Sequence, residues 1–401
     1  MKIFNTIYLD HQATTPVDPR VLAEMTPYFG DSFGNPHSSD HRFGWDSARA
    51  VENAAARVAR LVGVDAGEIV FTSGATESNN LALLGLGRRA ASGKRRRILL
   101  SAIEHKCVLA AGRVLEDQYG FTIDTIPVDK EGLIDLSALE DSLDDDVLAV
   151  SVMAVNNEIG AIQNTAEISR LVRDCGALFH SDAAQAPVAM NLEGIGRQTD
   201  LLSLSAHKMY GPKGIGVAVI SRHLQGQIEP LIYGGGQQNG LRSGTVPVPL
   251  CVGMGAAAEL LTADEAEERR AALRRRTAAF VEKLKSLSWP VSTNGPTGHT
   301  RHPGNANICF AGFVAHDILG ALQPRLAAST GSACTSGILE PSHVLRAIGL
   351  DSDGAESSIR FSLGFGTSDE DIEDAVGLIK ETLERLWKAE LVVHPLDPFG
   401  C

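Results

Sequence analysis

Between residues 68 and 220 the chain repeats one unit, a short apolar run of strand length followed in most cases by a segment with helical periodicity. The runs are Glu68–Phe71, Arg97–Leu100, Phe121–Ile126, Val147–Val152, Ala177–His180, Asp200–Leu204 and Gly216–Ile220, and helix-length segments include 76–91, 106–119 and 164–175. A strand that is apolar throughout must be covered on both faces, and strands joined through helices pair in parallel. The pattern therefore predicts an α/β layer domain with a mainly parallel seven-stranded sheet between helices. Ligands of such sheets gather beyond the carboxyl ends of the strands, which makes the first residues after each run the candidates for chemistry.

Residues 251–288 read as one long helical stretch, with charges of both signs along 263–276 suited to an exposed face. It leads to further apolar runs at Asn305–Phe310 and Ser357–Leu363 and to a helix expected from Asp369 to about Ala389. The tail Val392–Cys401 holds two prolines and no helical period, which predicts an extended or loose terminus. The division expected is a large domain over 15–262 and a smaller α+β domain made of 1–14 together with 263–401.

With 401 residues, 44% of them apolar, the chain can build one large core or two linked ones. Its formal charge of −13 excludes a general electrostatic grip on nucleic acid or an acidic membrane. Lys94, Arg95, Arg96 and Arg97 are a local exception, read as a solvated helix exit. Residues 1–5 lack a signal-peptide pattern and no apolar stretch reaches the length of a membrane span, so a cytoplasmic location is expected. Six cysteines without C-x-x-C spacing predict reduced thiols and neither a disulfide framework nor a zinc ribbon. Cys175 and Cys309 have apolar neighbours and are expected in the core, whereas Cys334 lies in the small, polar string Ser329–Gly337, which predicts an accessible loop.

Lys208 follows the run Asp200–Leu204, between Ser205 and His207 on one side and the turn Gly211–Gly214 on the other. Alone it reads as a surface lysine, but the setting suits a Schiff base with an aldehyde cofactor whose phosphate needs anchoring. Ser73, Gly74, Ala75 and Thr76 link a run to a helix expected from about Glu77, a turn that can aim backbone N–H groups at an anion. His105 follows the second run, where an imidazole could stack on a flat cofactor and move protons. Asn156, Asn157 and Glu158 follow the fourth run, and Asp182 and Gln185 the fifth. A buried carboxylate at Asp182 could keep a pyridine nitrogen protonated, and Gln185 could bond the ring oxygen. Singly, each reads as a loop residue with local hydrogen bonds; together, they gather a phosphate cradle, an imidazole, a carboxylate and a lysine at one sheet edge.

The strings Tyr8–Asp18, Phe71–Ser78, Val155–Gly160, Ser203–Gly214, Arg242–Thr245 and Ser358–Ser362, with the Cys334 loop, resemble the cysteine desulfurases that feed iron–sulfur cluster assembly. Those enzymes are class V, fold-type I pyridoxal-phosphate proteins, and the likeness runs nearly end to end. It implies pyridoxal 5'-phosphate on Lys208, with Asp182 at the ring nitrogen, Gln185 at the phenolic oxygen and His105 against the ring. Ala75, Thr76, Ser205 and His207 would hold the phosphate, joined by Thr245 from the other subunit of a homodimer. Asn157, also beside the cofactor, and Arg360 would bind the carboxylate of L-cysteine. Cys334 would be the nucleophile that carries sulfur as a persulfide to an iron–sulfur scaffold protein, completing a catalytic set with Lys208 and His105. No resident metal is implied, though Cys334 would touch a cluster transiently during transfer. The loop length, with Leu339–Arg346 following, resembles the housekeeping group. Departures concern delivery: 221–229 is less basic than in many relatives, Gln237–Arg242 lacks the usual charged pair, and the tail differs from the ending associated with scaffold docking. A selenocysteine lyase, or a desulfurase serving DNA phosphorothioation, would share every catalytic residue.

Overall fold

Strands β1 (Ile69–Thr72), β2 (Arg97–Ser101), β3 (Thr122–Ile126), β4 (Val147–Ser151), β5 (Leu178–Asp182), β6 (Leu201–Ser205) and β7 (Gly216–Ile220) form one sheet in the order β1-β7-β6-β5-β4-β2-β3. The structure, a computed structural model, describes residues 1–331 and 342–393, so Cys334 and Cys401 lie outside the described residues. Strands β2 to β6 pair in parallel, and β7 is antiparallel to both β1 and β6. Six carboxyl ends therefore share one edge with the amino end of β7.

Helices α1 (Arg42–Val62), α2 (Ala75–Ala90), α3 (Lys106–Tyr119) and α4 (Thr165–Asp174) cover the sheet. Strand alternation sorts the contacts: Ile98 and Leu100 belong to the core with Leu83 and Leu115, whereas Leu99 joins Ile168 and Val172. Each such fully buried aliphatic side chain contributes roughly 2 kcal/mol.

The single helical stretch expected over 251–288 is two helices, α5 (Val248–Thr262) and α6 (Glu265–Lys285). Ala263 takes an extended conformation, φ −68° and ψ 150°. The buried Arg270 donates through Nη2 to the carbonyls of Leu261 at 3.2 Å and Pro187 at 2.9 Å, which satisfies the end of α5. Glu265, Glu267 and Glu268 then favour a new helix start beside them.

Beyond α6, strands β8 (Val291–Thr293), β9 (Asn305–Phe310) and β10 (Ser358–Ser362) form an antiparallel sheet. Phe280 and Leu284 of α6 and Ile379 and Leu383 of α7 (Asp369–Val393) bury against Phe310 and Phe361. Ile7 and Leu9 join this core, brought there by the pairing of Thr6–Tyr8 with Leu326–Ala327. Helix α7 continues to Val393, so Val392 and Val393 are helical where an extended tail was expected. Among the described residues, no helix is long and apolar enough to cross a membrane.

The basic cluster is not a solvated exit. Lys94 is exposed, but Arg95 donates to the carbonyls of Val147 at 2.6 Å and Cys175 at 3.2 Å. Arg96 lies 4.4 Å over the Phe121 ring and donates to the carbonyls of Ala91 and Tyr119. Arg97 pairs with Asp124 at 2.7 Å and Asp144 at 2.5 Å. Three arginines thus tie the amino edge of the sheet to its connections. Cys309 is buried, as expected, but Cys175 is only half-buried and its thiol donates to the carbonyl of Asp144 at 3.0 Å.

Candidate active site

A cavity of about 860 Å³ opens at the carboxyl edge of the large sheet. A larger one, about 1010 Å³, lies at the opposite edge, where Arg60, Arg197, Asp65, Asp200 and Glu267 mix both signs of charge. The smaller cavity is the candidate, because convergent titratable groups, and not volume, mark a reacting centre.

One wall is the turn from β1 into α2. Gly74 has φ 155°, a conformation that L side chains rarely adopt, and a Cβ on Gly216 of β7 would stand 2.6 Å from the Gly74 Cα. Two glycines thus let the turn lie directly on the sheet. It is fixed by the Thr72 and Ser78 hydroxyls at 2.7 Å, by Ser73 N–H donating to Glu77 at 2.8 Å, and by the Glu77–Arg242 ion pair at 2.9 Å. Ala75 and Thr76 occupy the first turn of α2, whose N–H groups have no intrahelical acceptor and face an anion favourably.

Ser205 ends β6, and His207 and Lys208 follow on one helical turn, all three lining the cavity. Burial, reinforced by Lys208 and Lys213, pushes His207 down to about 4, so its ring is neutral at physiological pH. Thr14 bonds its Nδ1 at 3.2 Å. Asp182, at the end of β5, is 4% exposed and accepts from the Ala184 N–H at 2.9 Å and from Asn79 Nδ2 at 2.7 Å. Its oxygens keep further lone pairs for a ring N–H. His105 caps α3, its Nδ1 accepting from the Cys107 N–H at 3.2 Å and lying 2.9 Å from Cys107 Sγ. Burial lowers its pKa, an effect that the nearby Asp182 partly opposes.

Arg360, on β10, brings the small sheet to the same cavity. It donates to Asn157 O at 2.9 Å, Asp10 Oδ1 at 2.7 Å and Ser329 Oγ at 2.8 Å, while its buried Nε has no partner among the described residues. Asn157 lines the cavity as well. Gln185 does not, since its Nε2 donates to the carbonyl of Gln12 at 2.8 Å, and Thr245 is exposed away from the lining. The residues bounding the Cys334 segment flank the site: Gly331 lines the cavity, and Ser342 Oγ bonds Glu158 at 2.5 Å.

Sequence reasoning missed Asp10, Asn79, Glu104 and Cys107. Asp10 stands inside a quoted string, and Cys107 two residues after His105, so both carried a positional signal. Glu104, directly before His105, carried the same signal; it is fully buried, and burial reinforced by Asp182 pushes its carboxyl up to about 8. It is neutral at pH 7 and accepts from Ser151 Oγ at 3.3 Å, which bonds His180 at 2.8 Å. The donor set fits a flat, phosphorylated pyridine aldehyde: an amide cradle, a buried carboxylate, an imidazole and a strand-end lysine meet in one cavity.

The family described as Aminotransferase class-V matches residues 7–374. The cysteine desulfurase IscS of Rickettsia typhi is 46% identical over 386 residues, covering 95% of this chain and 92% of that protein. Among solved structures, a NifS-like protein superposes with a TM-score of 0.87 at 34% identity, covering 94% of this chain and 99% of its own. A structure of SspA in complex with cysteine gives a TM-score of 0.77 at 34% identity, over 89% of this chain and 98% of its own.

Proposed function

The chain belongs to the class V aminotransferase family, and from that premise we propose that its cavity is the active site of a pyridoxal-phosphate-dependent cysteine desulfurase. The observation that carries the reading is the convergence of Lys208, Asp182, His105 and the Ala75–Thr76 turn on one cavity that also takes in Arg360. A carboxylate-binding arginine belongs with an amino-acid substrate.

Bound there, pyridoxal phosphate supplies an electron sink for charge that develops at the substrate Cα. Lys208 holds it and moves the Cα proton; Asp182 keeps its ring nitrogen protonated. Ala75, Thr76, Ser205 and His207 hold the phosphate, with Thr245 reaching in from a second copy. Gln185 would serve the ring oxygen with the second Nε2 hydrogen, which its bond to the Gln12 carbonyl leaves over. Asn157 and Arg360 orient the L-cysteine carboxylate. The Cys334 thiolate forms an S–S bond as the substrate C–S bond breaks; the pair from that bond passes to the substrate carbon, which takes up a proton on the way to L-alanine. The sulfur leaves as a Cys334 persulfide for an acceptor, an iron–sulfur scaffold protein in this reading, in the cytoplasm.

A homodimer accounts for a further set of side chains. Phe29, Phe33, Phe43, Trp45 and Tyr233 are each more than half exposed, and Tyr233 adjoins Ile232, whose carbonyl accepts from Ser243 two residues before Thr245. Large apolar groups left in solvent call for cover, and a second copy would supply it while delivering Thr245.

The test is direct. Protein loaded with pyridoxal phosphate and given L-cysteine with a reducing thiol should release alanine and sulfide in equal amounts. Lys208→Ala should abolish the cofactor absorbance band, and Cys334→Ala should abolish the protein persulfide. Persulfide formation that survives Cys334→Ala, or no alanine from L-cysteine, overturns the reading.

A further inference from the structure

The Cys107 thiol has no part in the chemistry above, yet it lines the cavity and touches groups that do. Its sulfur lies 2.9 Å from His105 Nδ1 and accepts from Asn79 Nδ2 at 3.3 Å. That same Nδ2 donates to Asp182 at 2.7 Å. An amide nitrogen has two hydrogens and no lone pair to offer, so Asn79 donates to both the carboxylate and the sulfur. Flipping this fully buried amide would set its oxygen against the Asp182 carboxylate, which fixes its orientation.

The direction of the remaining bond follows. Burial and the Asp182 charge push the Cys107 thiol up to about 11, so the sulfur keeps its proton at neutral pH. With the Asn79 amide and the Thr76 hydroxyl both donating to the sulfur, the S–H points to His105 Nδ1. That nitrogen also receives the Cys107 backbone N–H at 3.2 Å, which leaves it no room for a proton of its own.

We propose that Cys107 is a positioning residue, which together with Asn79 links Asp182 to His105 and holds the His105 ring neutral with its proton on Nε2. The benefit is electrostatic. A neutral imidazole stacks on a protonated pyridine ring without the like-charge repulsion that an imidazolium would bring. The proposal rests on reading the cavity as the cofactor site, but the tautomer is a property of the chain itself.

The test uses protein labelled with 15N-histidine, both free of cofactor and loaded with pyridoxal phosphate, with the His105 signals assigned by their loss in His105→Gln. From about pH 7 to 8 the wild type should show Nδ1 unprotonated and Nε2 protonated. Cys107→Ala should shift Nδ1 toward the protonated position as a mixture of tautomers, and Cys107→Ser should restore the wild-type pattern. In the loaded enzyme, Cys107→Ala should lower kcat roughly 10-fold with KM changed less than about twofold, less than the roughly 10²-fold or more that outright loss of an acid–base group costs. If alanine leaves a void that prevents folding, Cys107→Val fills the volume without a donor and gives the same readout. An unchanged His105 tautomer in folded Cys107→Ala or Cys107→Val overturns the proposal, because the backbone N–H would then suffice. Failure of the desulfurase reading would appear separately, as absent alanine production with the tautomer result intact.

Discussion

Replacing Arg360 separates its observed duty, tying the small sheet to Asn157, Asp10 and Ser329, from the proposed one of holding a substrate carboxylate. A guanidinium has five N–H donors, and three are engaged, by Asn157 O, Asp10 Oδ1 and Ser329 Oγ. One hydrogen on Nη1 and the buried Nε–H remain for an incoming anion. Taking a charge-assisted hydrogen bond as about 1.5 to 3 kcal/mol, one or two bonds to a carboxylate amount to about 3 kcal/mol, roughly 10²-fold in kcat/KM. Arg360→Ala should therefore cost about that factor with L-cysteine, and Arg360→Lys, which keeps the charge but not the fork, about a tenth of it. The assay is the ratio of kcat/KM for L-cysteine to that for cysteamine, which has the amine and thiol but no carboxylate. General damage from losing the Asp10 contact lowers both substrates alike and cancels in the ratio. A ratio within about threefold of wild type in Arg360→Ala refutes the assignment.

His180 and His302 are fully buried, and burial pushes them to about 4 and about 3 from the ordinary 6.5. The unfolded chain then binds more protons below 6.5, so stability should fall as pH drops from about 6.5 toward 4, by about 2 kcal/mol per histidine at pH 5. Glu104, held up to about 8, works in the opposite sense, so Glu104→Gln should show a steeper loss of Tm between pH 7 and 5; a flat Tm in that variant contradicts the burial of these rings. Arg270→Ala should lower stability by about 3 kcal/mol in urea titration, since it removes a buried cation and leaves the carbonyls of Leu261 and Pro187 without their donor; a loss under about 1 kcal/mol would discount its role in ending α5. Gly216→Ala should weaken pyridoxal phosphate binding at least about tenfold in equilibrium dialysis, because its Cβ would displace the Gly74 turn. Unaltered binding would mean that the turn does not hold the phosphate.

What could be read from the sequence followed from burial. Strands such as Val147–Ser151 and Gly216–Ile220 are buried at every position, so their composition alone announces them, and the residues that follow them announce the active edge. The break at Ala263 was not legible, because neither glycine nor proline marks it and its cause is a side chain seven residues on, Arg270. The arginines at 95, 96 and 97 read as solvated because their acceptors, among them Asp124, Asp144 and Cys175, arrive from other turns of the chain. Asn79 was invisible for the same reason, being 103 residues from Asp182 and 28 from Cys107. Local pattern finds the groups that face a ligand; the groups that steady them are chosen by tertiary proximity.

Strand β1 lies at the sheet's edge and pairs only with β7, the last of the seven strands to be synthesised. Thr72 finds its partner Gly216 only after the intervening strands and helices have left the ribosome, whereas β2, β3 and β4 can pair as they emerge. Closing so long a loop is slow, and until it closes one edge of β7 is open to other chains. The phosphate turn is thus among the last parts of the large domain to mature. A chain truncated before Gly216 would leave β1 without its partner strand and the Gly74 turn without the sheet surface it lies on.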